Sequence, residues 1–278
     1  MMFPIRIEII PSEGIVERVK ALVPLATTLT VTCLPHHGIE RTMRAAVELS
    51  VLGYKVIPHL AARSLHSRAD LTGILRDCDV AGIGEVFVIG GDRKQPAGPY
   101  ESALPVLEDI AQYSGGMMRA GVAGYPEGHP SIGPVDVLDS LLAKQHLASH
   151  VVTQMCFSAQ KILDYAALLR REGVQLPVWA GVAGSVPRTK LVSLATQIGV
   201  GSSLKFLSRK GPLARKLLSG DSYQPHSLVT GLESQPGDIA GIHLYSFNSL
   251  DSVPGGPGQA PAPAALQQAL IRGAARDN

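Results

Sequence analysis

Glu8 stands inside an apolar run, Ile5-Arg6-Ile7-Glu8-Ile9-Ile10. Strand alternation puts Arg6 and Glu8 on one face and Ile5, Ile7 and Ile9 on the other. If the Arg6/Glu8 face is turned inward, burial raises the carboxyl pKa and suits it to general acid work. The plainer reading of the same spacing is an Arg6–Glu8 ion pair, or a Glu8 facing solvent. Asp92 follows Gly90-Gly91. The glycines let backbone approach a ligand that Asp92 can then hydrogen-bond, although Gly-Gly-Asp is also an ordinary turn. The densest polar stretch is Ala123-Gly124-Tyr125-Pro126-Glu127-Gly128-His129-Pro130, where two prolines stiffen a loop carrying a phenol, a carboxyl and an imidazole. No metal is expected, because Glu127 and His129 lack a third ligand nearby and His36-His37 reads as a solvent-facing or helix-start pair. Gly181-x-x-Gly184-Ser185 lacks the Gly-Lys-Ser/Thr ending of a phosphate loop and reads as a strand-end turn, with a helix starting at Pro187.

These residues need a scaffold that gathers strand ends. Short apolar, β-branched segments recur at Ile5–Ile10, Thr28–Cys33, Tyr54–His59, Glu85–Gly90, Met117–Ala123, His150–Thr153, Pro177–Val182 and Ala240–Tyr245. Helical periodicity lies between them. Ile39, Met43, Ala46 and Val47 share a face before Gly53, and Leu104, Leu107, Ile110 and Ala111 repeat the pattern before Gly115-Gly116. Ser158 can cap a helix that buries Ile162, Ala166 and Leu169 and stops at Gly173. Further helices are expected over Leu191–Ile198 and Ser203–Leu218, and before Asp238. Eight strands alternating with helices predict an α/β chain folded as a (β/α)8 TIM barrel over residues 1–250. A Rossmann sheet is disfavoured because Pro11-Ser12-Glu13-Gly14 follows the first strand in place of G-x-G-x-x-G. Residues 251–278, rich in Pro, Gly and Ala, read as a partly flexible tail. In a barrel the residues to inspect sit at the C-terminal strand ends: Glu8, Thr32, His59, Asp92, Tyr125, Glu127, His129 and Gln154.

Composition narrows the classes further. A hydrophobic share of 45% excludes a disordered chain. Lys plus Arg is 25 against 23 for Asp plus Glu, so charge gives no drive toward nucleic acid or membrane. Three cysteines without Cys-x-x-Cys spacing fit a reducing compartment. Arg6 and Glu8 fall where a signal peptide needs apolar residues, and no long uncharged run appears. A cytoplasmic protein is therefore expected.

In order along the chain, several motifs resemble the methylenetetrahydrofolate reductase family. Ile7-Glu8-Ile9-Ile10-Pro11 is similar to that family's Phe-Glu-Phe-Phe-Pro. Pro58-His59-Leu60 matches its Pro-His-Leu, and Gly91-Asp92 the end of its Arg-Gly-Asp. Tyr125-Pro126-Glu127-Gly128-His129-Pro130 resembles Tyr-Pro-Glu-x-His-Pro. Thr153-Gln154 with Phe157 resembles Thr-Gln-x-x-Phe, and His243-Leu244-Tyr245-Ser246-Phe247-Asn248 resembles His-Phe-Tyr-x-x-Asn. The resemblance implies a TIM barrel and a folate substrate. It implies that Glu8 protonates a folate nitrogen and opens the bridging ring of 5,10-methylenetetrahydrofolate, after which hydride gives the 5-methyl product. It assigns Asp92 and Gln154 to the pterin, and Phe206 to a place near the hydride donor.

The departures bear on the cofactor. Flavin-dependent relatives show Thr-Tyr-Gly-Ala where this chain has Thr32-Cys33-Leu34-Pro35, and Gly90 replaces the arginine of Arg-Gly-Asp. Thr32, His59, Tyr125, His129, Asp136 and Lys144 still match flavin-site positions. The expectation is direct transfer from NADH, with NADPH allowed, and His59 and Tyr125 reused for the nicotinamide. An FAD-dependent ping-pong reductase and a non-catalytic pterin-binding protein are the alternatives. A homo-oligomer is allowed. The chain has only 5 Phe, 1 Trp and 7 Tyr, and the replaced aromatics of the first two strands suggest that this scarcity falls where relatives pack flavin and folate.

Overall fold

The computed structural model describes residues 3–187, 222–223, 225–235 and 239–251. Eight parallel strands close a barrel: β1 (Ile5–Ile9), β2 (Thr28–Val31), β3 (Lys55–Ala61), β4 (Glu85–Ile89), β5 (Arg119–Gly124), β6 (His150–Thr153), β7 (Val178–Ala183) and β10 (Ile239–Tyr245). Each strand pairs with its neighbour in sequence, and β1 pairs with β10 to close the ring. The expected TIM barrel is the observed fold. Every expected strand is present within about two residues, as edge assignments allow.

Helices α1 (Ile15–Leu22), α2 (Gly38–Val51), α3 (Arg68–Val80), α4 (Ala103–Ser114), α5 (Pro134–Lys144) and α6 (Ala159–Arg171) follow the first six strands, and α7 (His226–Ser234) precedes β10. Their boundaries follow local chemistry. Ser158 Oγ accepts from Lys161 N at the start of α6, and Gly173, at φ 86°, lies just past its end. Ile39, Met43 and Ala46 of α2 are buried, as their spacing requires. One expectation fails. Pro187 does not start a helix; with Val186 it forms β8, which pairs antiparallel with β9 (Ser222–Tyr223). Proline suits a helix start, but it also suits a short edge strand, where its missing N–H costs nothing. The helices expected over 191–198 and 203–218, Phe206 and the 252–278 tail lie outside the described residues.

Two cores result. The larger lies between strands and helices and includes Ile7, Ile9, Leu29, Val31 and Cys33. The smaller is inside the barrel, formed by Ile57, Phe87 and Val152 with Ile89, Ala123 and Trp179 packed on it. Ile7 and Ile9 therefore face the helices, and Arg6 and Glu8 face inward.

The barrel floor is charged. Arg6 Nη1 lies 2.8 Å from Glu85 Oε1 and donates to His150 Nε2 at 3.0 Å. Arg119 reaches Glu85 Oε2 at 3.6 Å. Neither Glu85 oxygen has a well-directed hydrogen bond, so its tie to Arg6 is ionic rather than directional. His150 Nδ1 meets Ser149 Oγ at 2.9 Å, and the Arg6 guanidinium sits 3.8 Å over the Trp179 ring. The expected alternative of an Arg6–Glu8 pair is not what forms; Arg6 spends its charge on Glu85. Arg6→Met should cost roughly 3–5 kcal/mol in urea unfolding, because it strands a buried carboxylate. Adding Glu85→Leu should recover most of that loss.

Candidate active site

Two residues above the floor, the same strand carries Glu8. Its carboxyl is buried, and burial pushes its pKa up to about 7, against an opposing pull from His59. His243 of β10 places Nε2 2.9 Å from Glu8 Oε2. His59 of β3 places Nε2 3.7 Å from the same oxygen. Both imidazoles are held neutral. Burial lowers His59 to about 4, with Glu8 opposing and His243 adding. Burial and then Arg6 lower His243 to about 3. Below about pH 7 a neutral acid thus sits between neutral bases. Phe87 meets the His59 ring edge-on at 4.8 Å, and Tyr245 meets His243 at 4.9 Å. Gly181 makes room for this packing, since a Cβ there would lie 2.9 Å from the Tyr245 ring. Tyr245 donates its hydroxyl to Thr153 O at 3.1 Å.

The barrel gathers some expected residues and separates others. Thr32 and His59 are buried at the ends of β2 and β3, and Thr30 is buried within β2. Thr30 Oγ1, Thr32 Oγ1 and His59 Nε2 are buried without a hydrogen-bond partner among the described residues. Tyr125 and His129 pack edge to face at 4.9 Å in the loop after β5. Asp92 is exposed after β4, yet close enough to raise the Tyr125 pKa alongside burial and to oppose burial at His129. Arg63 shapes the Asp92 loop by donating to Arg93 O at 2.6 Å and Lys94 O at 2.5 Å. Gln154 is half-buried after β6, its N–H bonded to Gly124 O at 2.7 Å. Glu127 is tied to Lys161 at 2.6 Å. Asp136 lies in the first turn of α5 and Lys144 in its last, about 12 Å apart along the axis. Burial lowers the Lys144 pKa.

Sequence reading assigned no role to His243 or Tyr245. Their signal was available: both share the inward face of β10 by alternation, as Arg6 and Glu8 do on β1.

Ligand atoms of Glu8, His59 and His243 all lie within 4.8 Å of one another, a set of types that transition metals take. The outer shell argues against a metal. A ligating histidine donates its other ring N–H to an acceptor, and His243 Nδ1 is buried with no such acceptor among the described residues.

A family model described as methylenetetrahydrofolate reductase matches residues 12–199, most of the chain. The chain belongs to the methylenetetrahydrofolate reductase family. The match begins just past Glu8, so the part played by that residue rests on its geometry. Methylenetetrahydrofolate reductase 2 of Saccharomyces cerevisiae is 23% identical over 227 residues, covering 75% of this chain and 37% of the yeast protein. The chain thus spans little more than a third of that relative's length. Among solved structures, a 2,3-dimethylmalate lyase is similar with a TM-score of 0.47 at 9% identity, over 65% of this chain and 66% of the lyase. A mandelate racemase/muconate lactonizing protein from Paracoccus denitrificans PD1222 gives 0.46 at 12% identity, over 94% of this chain and 59% of its own. Neither likeness bears on function.

Flavin-dependent family members place a tyrosine where this chain has Cys33. That thiol is buried in the outer core, with Thr42 and Ser64 beside it, so it offers the barrel mouth no ring. Gly90, in place of the arginine, offers no cation. No helix among the described residues is long and apolar enough to cross a membrane.

The buried titratable groups set a pH dependence of stability. His59 near 4, and His150 and His243 near 3, lie below their ordinary 6.5. The unfolded chain therefore takes up their protons first, and stability drops as pH falls from 6.5. Glu8, raised from 4.5 to about 7, works the other way, gaining stability as pH falls through 7 toward 4.5. Thermal midpoints should decline between pH 6.5 and 4.5. They should decline more steeply in Glu8→Gln, which lacks the opposing group.

Proposed function

We propose that this chain reduces 5,10-methylenetetrahydrofolate to 5-methyltetrahydrofolate, with hydride delivered directly from NADH or NADPH and with Glu8 as general acid. The observation that carries this reading is a buried carboxyl at the C-terminal mouth of the barrel whose pKa is lifted to about 7. Such a group holds a transferable proton near neutral pH, whereas an ordinary glutamate does not. The dinucleotide supplies two electrons as hydride to the one-carbon unit.

The chain's own residues supply the rest. Glu8 delivers a proton to the folate nitrogen and opens the bridging ring, leaving the one-carbon unit as the electrophile. Asp92 and Gln154 lie on loops that can hydrogen-bond the polar edge of a pterin. Thr30 Oγ1, Thr32 Oγ1 and His59 Nε2, lacking partners, leave polar capacity at the same mouth for a heteroaromatic ligand. Tyr125 and His129 offer ring faces beside them for the nicotinamide. Phe87 and Tyr245 help keep water from the acid, which preserves its raised pKa. Cys33 and Gly90 support the flavin-free form. Residues 1–250 act as the catalytic barrel in this reading.

Glu8→Gln should fold with an unchanged circular dichroism spectrum and lose turnover by about 10²- to 10⁴-fold in an anaerobic assay with methylenetetrahydrofolate and NADH or NADPH. Wild-type activity should decline as pH rises through about 7, where Glu8 gives up its proton. The purified protein should be colourless and gain nothing from added FAD. Stoichiometric flavin absorbance would reject direct transfer and favour the ping-pong form. Tight folate binding without dinucleotide oxidation would favour a non-catalytic pterin-binding protein.

A further inference from the structure

Closure of the barrel brings its last strand against its first at the acid. In the β1–β10 register Arg6 lies opposite His243 and Glu8 opposite Tyr245. His243 is 1% exposed, and its Nε2 is 2.9 Å from Glu8 Oε2. Its other nitrogen, Nδ1, is buried and has no partner among the described residues. These two facts select the tautomer. A buried N–H with no acceptor is costlier and rarer than a buried acceptor with no donor. The single proton of the neutral ring therefore sits on Nε2, and Nε2–H donates to Oε2.

An oxygen that accepts this bond at 2.9 Å cannot also point its own hydrogen at the same nitrogen. The carboxyl proton then belongs on Oε1. Among the described residues no group bonds Oε1, while Oε2 carries both histidine contacts. The Glu8 side chain keeps 11% of its exposure.

We infer that His243 is a positioning residue for proton transfer: its Nε2–H holds Glu8 Oε2 and so assigns the mobile proton to Oε1, the oxygen left open to substrate. This rests on the reading of Glu8 as the acid. In the step itself the Oε1–H bond breaks, an N–H bond forms on the folate nitrogen, and the electron pair stays on the carboxylate. The His243 bond then becomes charge-assisted and strengthens as the proton leaves, so it favours the transition state over the ground state.

Other groups facing Glu8 do not fill this part. His59 on β3 is 3.7 Å away, past hydrogen-bond reach. Tyr245 on β10 spends its hydroxyl on Thr153 O, and Arg6 on β1 is tied to Glu85 and His150. The pair is also held from outside. Ser246 Oγ donates to Glu8 O at 2.5 Å. Asn248 accepts from Ile10 N at 2.8 Å and donates to Ile10 O at 2.9 Å. Phe247 and Asn248 turn back at φ 50° and 60° to make that clasp, a conformation that side-chain-bearing residues seldom adopt.

The test compares full-length His243→Leu, His243→Gln and Glu8→Gln with wild type, assaying methylenetetrahydrofolate reduction by NADH or NADPH across pH. His243→Leu should lower kcat about 10- to 100-fold, the loss expected of one charge-assisted bond. KM for the folate should change by less than about twofold. Its high-pH limb should move upward by about one unit, since the carboxylate has lost its donor. His243→Gln carries an amide N–H near the Nε2 place and should regain most of kcat and the wild-type limb. Should His243→Leu fail to fold, His243→Asn replaces it, because its amide sits near the Nδ1 place and misses Oε2. Equal losses in the Gln and Leu (or Asn) variants, with an unmoved limb, overturn the inference and leave His243 a packing residue. Turnover retained in Glu8→Gln removes the acid and the inference together. Turnover lost in Glu8→Gln with no shift in the His243 variants overturns the inference alone.

Discussion

A carboxyl buried inside a strand barrel keeps its proton only if no cation acts on it. Arg6 is the nearest threat, on the same face of β1 and two residues before Glu8, about 7 Å away. At an effective dielectric of about 20, a bare guanidinium at that distance would favour the carboxylate by ~2 kcal/mol, more than one pKa unit. Glu85 opposes the threat. It meets Arg6 at 2.8 Å and offsets its charge at the floor, although Arg6 is still felt at His243. His150, kept neutral by burial and by the Arg6 and Arg119 charges, accepts an Arg6 N–H without adding a cation of its own.

The same two-residue step recurs around the ring. Arg6 is followed by Glu8 on β1, Glu85 by Phe87 on β4, and His150 by Val152 on β6. Phe87 and Val152, with Ile57, form the apolar layer inside the barrel. A charged floor, an apolar layer and a neutral acid are thus produced by strand alternation together with a common register. His59 and His243 share the neutrality of Glu8 for the same reason, since burial dominates all three. A water-filled interior would remove the burial that raises Glu8 and lowers both histidines, and the carboxyl would ionise at neutral pH.

Much of this was legible in the sequence. The eight barrel strands were readable because each is a short β-branched run between helix stops such as Gly53, Gly115 and Gly173. Glu8 was readable because a carboxyl interrupts such a run. Its environment was not. The Arg6–Glu85 tie and the Glu8–His243 contact join residues far apart in the chain, the latter at a separation of 235, and only the closed register reveals them. Alternation offers Arg6 and Glu8 as a natural pair, and nothing local says that a better partner stands on β4. Pro187 was misread for a related reason: proline fixes a backbone angle that helix starts and edge strands both use, and the choice is made by a distant strand.

The scarcity of aromatic residues takes on a different meaning in three dimensions. The first-strand positions where relatives carry phenylalanine are Ile7 and Ile9 here, and both face the helices rather than the barrel mouth. Cys33 is likewise packed into that outer core. At these three positions the outer core takes smaller side chains, while it keeps rings elsewhere in Tyr54, Tyr100 and Tyr165. A second group of rings lies at the site. Phe87 lies against His59, Tyr245 against His243, Phe247 stacks on Tyr245 at 6.5 Å, and Tyr125 lies against His129. The replaced positions of the first two strands thus belong to the wall between strands and helices. Their side chains face the helices rather than the barrel mouth, so the low aromatic count carries no weight on the cofactor.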